Sequence, residues 1–301
     1  MSSLVRVVRG KPRHRGEIQE LVGRIEVELR VCSRERDGVD SYLHVGTGVL
    51  RLVLDVDLLK RGVATARTRQ DLERLKQRLS ETVQIDYAQF VSTRGRLVVP
   101  GSSVKGNVRA RLELSFVPKN GFVRSCLVKA TEEPLEPPPE GEHGWRHFKI
   151  WREALSFKRE SACDYSGEES SVCLVCDLFG TTGLRGLIEF GDLVGENVRH
   201  ERVDLPTGEK LEVAGPGSTF AGTFSFKNIK AWELGLLLYG MGLRNSRTGR
   251  TVLFGKVKYR RHNRVFGVVR YEVRRLELAP ISRVLEAVSY THLTLPTIYS
   301  V

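Results

Sequence analysis

Residues 100–109, Pro100-Gly101-Ser102-Ser103-Val104-Lys105-Gly106-Asn107-Val108-Arg109, constrain this chain more than any other stretch. Pro100 and Gly101 close an apolar run, and the two serines open a helix that extends to residue 114. Either serine can cap the helix N-terminus. Free backbone N–H groups there, and the positive end of the helix dipole, favour a phosphate. Val104, Val108 and Leu112 share one face, while Lys105 and Arg109 share another. Gly106 has no Cβ and admits a close backbone. The segment therefore predicts a helix that packs by one face and offers two cations beside an anion-binding end. A capped surface helix with solvated charges is the plainer alternative.

The flanking sequence says what such a helix packs on. Residues 21–32, 186–194, 217–229 and 265–278 alternate apolar with polar side chains and predict strands. Residues 231–242 predict an apolar helix and 66–82 a charged amphipathic one, with Leu72, Leu75 and Leu79 three and four apart. Residues 85–99 predict a loop and then a hairpin turning at Arg94, Gly95 and Arg96. Residues 1–16 read as a basic arm, and 131–144 as a Pro/Glu-rich surface loop. Strands and helices do not alternate regularly. That predicts an α+β sheet with helices on one face, heavily decorated by loops.

Charge narrows the partner. The chain carries 48 Lys and Arg against 36 Asp and Glu, a formal net charge of +12. Of the cations, 35 are Arg and 13 Lys, which favours bidentate recognition of phosphate or carboxylate. Such a balance points first to nucleic acid and second to an acidic membrane surface. No run approaches the ~20 apolar residues of a membrane span, and residues 1–16 lack a signal core, so a cytoplasmic protein is expected. From Lys256 to Gly267, Lys256, Lys258, Arg260, Arg261 and Arg264 interleave with Tyr259 and Phe266. Cations among aromatics suit a single strand, with phosphates held by charge and bases stacked on rings.

Five cysteines form no disulfide framework. Cys163, Cys173 and Cys176 are spaced C-x9-C-x2-C, a good start for tetrahedral Zn2+. His147 is taken as the fourth ligand, with His143 and Cys126 as alternatives. A zinc deaminase is excluded, because no H-x-E precedes the pair and no Pro precedes Cys173. A metabolic enzyme would need a cluster of acids and bases, and the sequence shows none.

The segment at 100–109 resembles a motif of the backbone subunits of type III CRISPR–Cas effector complexes, members of the RAMP superfamily. The stretches at 43–48, 173–193 and 215–226 resemble other parts of the same family, so the likeness covers most of residues 20–280. It implies an RNA-recognition-motif-like (ferredoxin-like) core with large insertions, a thumb hairpin and a zinc-bound loop. It implies guide RNA (crRNA), complementary target RNA, other effector subunits and further copies of the chain as partners. Ser102, Ser103, Lys105, Gly106 and Arg109 are then RNA-binding. Residues 195–213 become the thumb, with Arg199, His200, Arg202 and Lys210 tracking phosphates and Val203 or Leu205 wedged between bases.

The family carries a metal-dependent catalytic aspartate in a loop ahead of this motif. In that register Asp86 cleaves target RNA with Mg2+ or another divalent cation, making the chain an endoribonuclease. A scaffold without cleavage, and a stand-alone zinc-containing RNA-binding protein, are the competing readings. The expected organisation is a single domain over 1–286, with insertions at 66–82, 119–180 and 195–213. Residues 287–301 lack any Asp, Glu, Lys or Arg and resemble an adapter-derived, non-native tail.

Overall fold

The computed structural model describes residues 5–53, 55–82, 84–127, 162–167, 170–258 and 264–279. The elements in chain order are β1 (Leu21–Val31), β2 (Gly46–Val53), α1 (Val56–Thr65), α2 (Arg69–Thr82), β3 (Gln84–Phe90), β4 (Arg96–Val99), α3 (Gly101–Ser115), α4 (Leu174–Phe179), β5 (Ile188–Phe190), β6 (Leu193–Asn197), β7 (His200–Asp204), β8 (Lys210–Ala214), β9 (Thr219–Ile229), α5 (Ala231–Gly240) and β10 (Val268–Leu278). Shorter turns and two-residue strands lie between them.

Alternation builds the main sheet. In β1, Ile25, Val27, Leu29 and Val31 are fully buried, as period-two patterning requires. Phe220 and Phe224 of β9 stand opposite Leu29 and Ile25, and Tyr271 of β10 stands opposite Leu29 from the other side. The antiparallel order is β10–β1–β9–β6, continued by β4, with β5 also pairing with β9. In chain order the central strands and helices run β1, α3, β6, β9, α5, β10. This β-α-β-β-α-β order, with β1 and β9 in the middle, is the ferredoxin-like arrangement expected.

Helices α3 and α5 bury Val104, Val108, Leu112, Leu234 and Leu237 in the same core as the sheet. They lie so close that a Cβ on Gly240 would stand 2.7 Å from Val108. Arg111 donates to the Gly240 carbonyl from Nε at 2.8 Å and Nη2 at 2.6 Å, satisfying the C-terminal end of α5.

Between β1 and α3 the chain makes a long excursion. The helix predicted at 66–82 is α2, and α1 precedes it without a counterpart among the expected elements. Leu75 of α2 is buried and packs on Gly62 of α1, while Leu72 stays exposed. The predicted loop before the hairpin is the strand β3. The hairpin turn falls at Arg94 and Gly95, both with positive φ.

A second sheet has the order β7–β8–β3–β2, and Leu211 of β8 pairs in parallel with Ala88 of β3. Its own small core is Ala88, Val203, Leu205, Leu211 and Val213, joined by Val257 and Phe266. Among the described residues no helix is long and apolar enough to cross a membrane.

Candidate metal centre and nucleic-acid face

Sequence spacing brings Cys173 and Cys176 together, and the fold supplies the rest. Cys173 sits at the N-cap of α4, and its sulfur accepts from the Cys176 N–H. The turn after α4 needs Gly180, whose φ is +85° and whose missing Cβ would meet the Gly186 nitrogen at 2.8 Å. Cys163 lies ten residues before Cys173, and its sulfur accepts the Cys173 N–H at 3.2 Å. Cys126, far off in sequence, places its sulfur 3.4 Å from Cys176 Sγ and 3.7 Å from Cys173 Sγ.

All four sulfurs are buried and lie within 4.8 Å of one another. Zn–S bonds of about 2.3 Å in a tetrahedron separate sulfurs by about 3.8 Å, so the set fits a metal ion such as zinc. Cys126 completes it without His147, which lies outside the described residues, as does His143.

Without a cation the four thiols cannot ionise together. Hydrogen bonds from Cys126 and the other thiols drive Cys163 far toward thiolate, and the Cys126 contact lowers Cys173 to about 7. The same contacts push Cys126 and Cys176 up. A divalent cation removes that opposition. The fifth cysteine, Cys32, is buried elsewhere; burial pushes it up to about 11.

Arginines surround this centre. Arg109 donates to Cys176 Sγ at 3.0 Å, to the Gly180 carbonyl at 2.6 Å and to Glu113 at 2.7 Å. Burial opposes its charge, but the Glu113 hydrogen bond and the thiols raise its pKa overall. Arg9 Nε donates to Cys163 Sγ at 3.4 Å. Arg13 and Arg15 pair with Asp177 on α4 at 2.8 and 2.7 Å, and Arg13 also pairs with Glu233 at the start of α5. The basic N-terminal arm is therefore fastened to the cysteine knuckle. No local pattern signals the pairings of the arm, because each partner lies more than 150 residues away.

The helix at 100–109 departs from expectation in four ways. Its N-cap is Pro100, with no side-chain cap, so Ser102 and Ser103 lie in the first turn instead. Its Gly101 N–H donates to the protein's own Asp192 at 2.8 Å, which already supplies an anion at this end. Arg109 turns inward and does not stand beside Lys105 as a second outward cation. Gly101, rather than Gly106, is the glycine that close approach requires: a Cβ there would meet the Phe190 carbonyl oxygen at 2.0 Å, while one at Gly106 would meet nothing within 4 Å. Lys105 is half-buried, and burial, then Arg109, lowers its pKa.

Exposed cations lie instead on and beside the second sheet. Thumb strands β7 and β8 form the predicted hairpin with its turn at 206–209. Arg199 is exposed and lines a cleft of about 1210 Å3 in which Arg30, Arg34, Arg36 and Arg274 stand among Glu28, Glu35, Asp40 and Glu196. Arg202 is exposed and holds its guanidinium 4.2 Å from the Tyr87 ring centroid. Val203 and Leu205 are 2% and 4% exposed, so neither is free to wedge between bases; the small second core holds them.

Glu212 ties the thumb to β3, accepting the Phe90 N–H at 2.7 Å and pairing with His200 at 2.6 Å. In the basic loop Lys256 is exposed, Lys258 half-buried, and Arg264 exposed with its guanidinium 5.1 Å from the Tyr42 ring. Arg260 and Arg261 lie outside the described residues.

Asp86 lies in β3 rather than in a loop. Tyr87 pairs with Arg51 and Ile85 with Leu52, so Asp86 is the extra residue where the β2–β3 register slips. Such a bulge bends a strand and re-aims a side chain, and bulges recur beside active sites.

The model of the RAMP superfamily matches residues 39–276, well over half of the chain. No curated protein matches it.

Proposed function

The chain belongs to the RAMP superfamily, which makes it a CRISPR-associated RNA-binding subunit, and from that premise we propose that it is a backbone subunit of a type III CRISPR–Cas ribonucleoprotein. In this reading several copies bind one guide RNA beside other effector subunits, and complementary target RNA is cut at Asp86. The observation that carries the reading is one sheet shared by the thumb hairpin and the strand of Asp86, through Leu211 opposite Ala88, with Asp86 at the register slip.

Exposed Arg199, Arg202, Lys256 and Arg264 supply phosphate contacts, and Lys258, Arg260 and Arg261 belong to the same basic loop. Specificity comes from pairing with the guide, so the protein reads backbone and shape. A divalent cation such as Mg2+ held by Asp86 and phosphate oxygens would polarise the phosphoryl group during attack by a 2′-hydroxyl. The four-cysteine set is read as a structural zinc site that pins its loop to the core, with about one zinc per chain.

The strand position of Asp86 is the observation that favours a scaffold without cleavage. One experiment decides between the two. The protein is assembled on guide RNA with its partner subunits, and complementary RNA and Mg2+ are added to wild type and Asp86→Ala at equal target binding. Regularly spaced cuts by wild type, reduced at least about 100-fold in the variant, are expected from loss of a metal-holding carboxylate. Equal cutting moves the site elsewhere, and tight binding with no cuts by wild type makes the chain a scaffold.

A further inference from the structure

Four thiolates and one Zn2+ leave a net charge of −2 in a site whose four cysteines are all buried. An uncompensated buried charge is prohibitively costly, so some group has to neutralise it. Backbone N–H groups do part of this: Cys126 N and Cys176 N donate to Cys173 Sγ at 3.4 and 3.5 Å, and Cys173 N donates to Cys163 Sγ. These are dipoles and carry no net charge. Two guanidinium groups reach the sulfurs from distant parts of the sequence, Arg9 on Cys163 and Arg109 on Cys176, the second sharing its charge with the buried carboxylate of Glu113.

We propose that Arg9 and Arg109 are the counter-charges of a tetrathiolate metal centre, and that Arg109 therefore serves the metal rather than RNA. The inference rests on the zinc reading above. Three observations carry it. The guanidinium–sulfur distances are those of charge-assisted hydrogen bonds to a large acceptor. The third Arg109 donor goes to the carbonyl of Gly180, which ends α4, so one side chain fixes both a sulfur and the turn beyond it. Glu113, itself buried, holds the guanidinium from behind at 2.7 Å. Outer partners of this kind set ligand orientation and charge, and their loss typically weakens metal binding about 10–100-fold.

The arrangement also gives the arm a purpose. Arg9 brings the N-terminal segment onto the centre, and the Arg13 and Arg15 pairs with Asp177 hold it there. A metal-loaded centre and a seated arm thus stabilise each other.

Cobalt(II) titration of the full chain tests this, because sulfur-to-cobalt charge-transfer absorption reports both occupancy and the hydrogen bonding of the sulfurs. Wild type is expected to bind one cobalt. Arg9→Ala and Arg109→Ala should each weaken binding about 10–100-fold and shift the charge-transfer band, with Arg109→Lys recovering part of the affinity. A purely packing role would leave the band where it is and would not be rescued by Lys. If Arg109→Ala fails to fold, Arg9→Ala and Arg109→Lys decide the matter. Wild-type affinity and an unshifted band in the folded variants overturn the counter-charge role while keeping the metal site. No cobalt bound by wild type overturns the zinc reading, and this inference with it.

Discussion

At the cysteine centre Arg9, Arg13, Arg15 and Arg109 aim their guanidinium groups into the protein, onto sulfurs, carboxylates and carbonyls. On and beside the thumb sheet and on the basic loop Arg199, Arg202 and Arg264 stay exposed, two of them near aromatic rings. The residue type is the same, but the surroundings differ. The centre contains buried anions that need neutralising, and solvent is remote. The thumb sheet has a small apolar core of its own, and its cations stay at the surface. A formal charge of +12 therefore does not measure an RNA footprint, because an arginine held by a buried anion is unavailable to phosphate.

The contrast is broken most forcefully by removing a ligand. Cys126→Ser should abolish metal binding and lower stability by about 3–5 kcal/mol, the scale for stripping one partner from a buried charged set. Metal content by mass spectrometry and a denaturant midpoint check it. One metal per chain at an unchanged midpoint in the variant would remove Cys126 from the ligand set, and a metal-free wild type would leave the four sulfurs as packed thiols.

A smaller effect sharpens the same contrast from the RNA side. Arg202→Ala should weaken guide-RNA binding across all sequences and reduce the slope of log affinity against log salt by about 1, as loss of one phosphate contact requires. Arg9→Ala should leave that slope alone. Binding titrations at several salt concentrations separate the two. Equal slopes for Arg202→Ala and wild type would remove the thumb arginine from the RNA face.

How far the sequence foretold this division follows from the reach of its signals. Period-two alternation placed β1, β9 and β10 within three residues, because each has one face on the core. It failed at β3, where Gln84–Phe90 does not alternate cleanly and the register slips at Asp86. The thumb assignment, drawn from the resemblance, made base wedges of Val203 and Leu205, which the second core instead buries. Their spacing marked one apolar face of the thumb but could not show that Val257 and Phe266, more than 50 residues on, would cover it.

The four-residue spacing sets Lys105 and Arg109 one turn apart on α3. The direction of Arg109 was decided by Cys176, 67 residues away, and no local pattern encodes that contact. Cys126 was legible only as one of three alternatives, since 47 residues separate it from Cys173.

Gly106 provides the finest test of the boundary between the two regions. It lies on the exposed side of α3, one turn from the half-buried Arg109, and a Cβ there meets nothing within 4 Å. The fold itself gives no reason for glycine, which weakens a helix interior by roughly 0.5–1 kcal/mol relative to alanine. Gly106→Ala should therefore raise stability by about that amount. A glycine that costs stability and serves no internal contact is explained if RNA backbone approaches it closely, and then the same variant must bind guide RNA less tightly. A stability gain with unchanged RNA affinity would confine the RNA face to the thumb sheet and basic loop, and leave α3 wholly to the core and the metal centre.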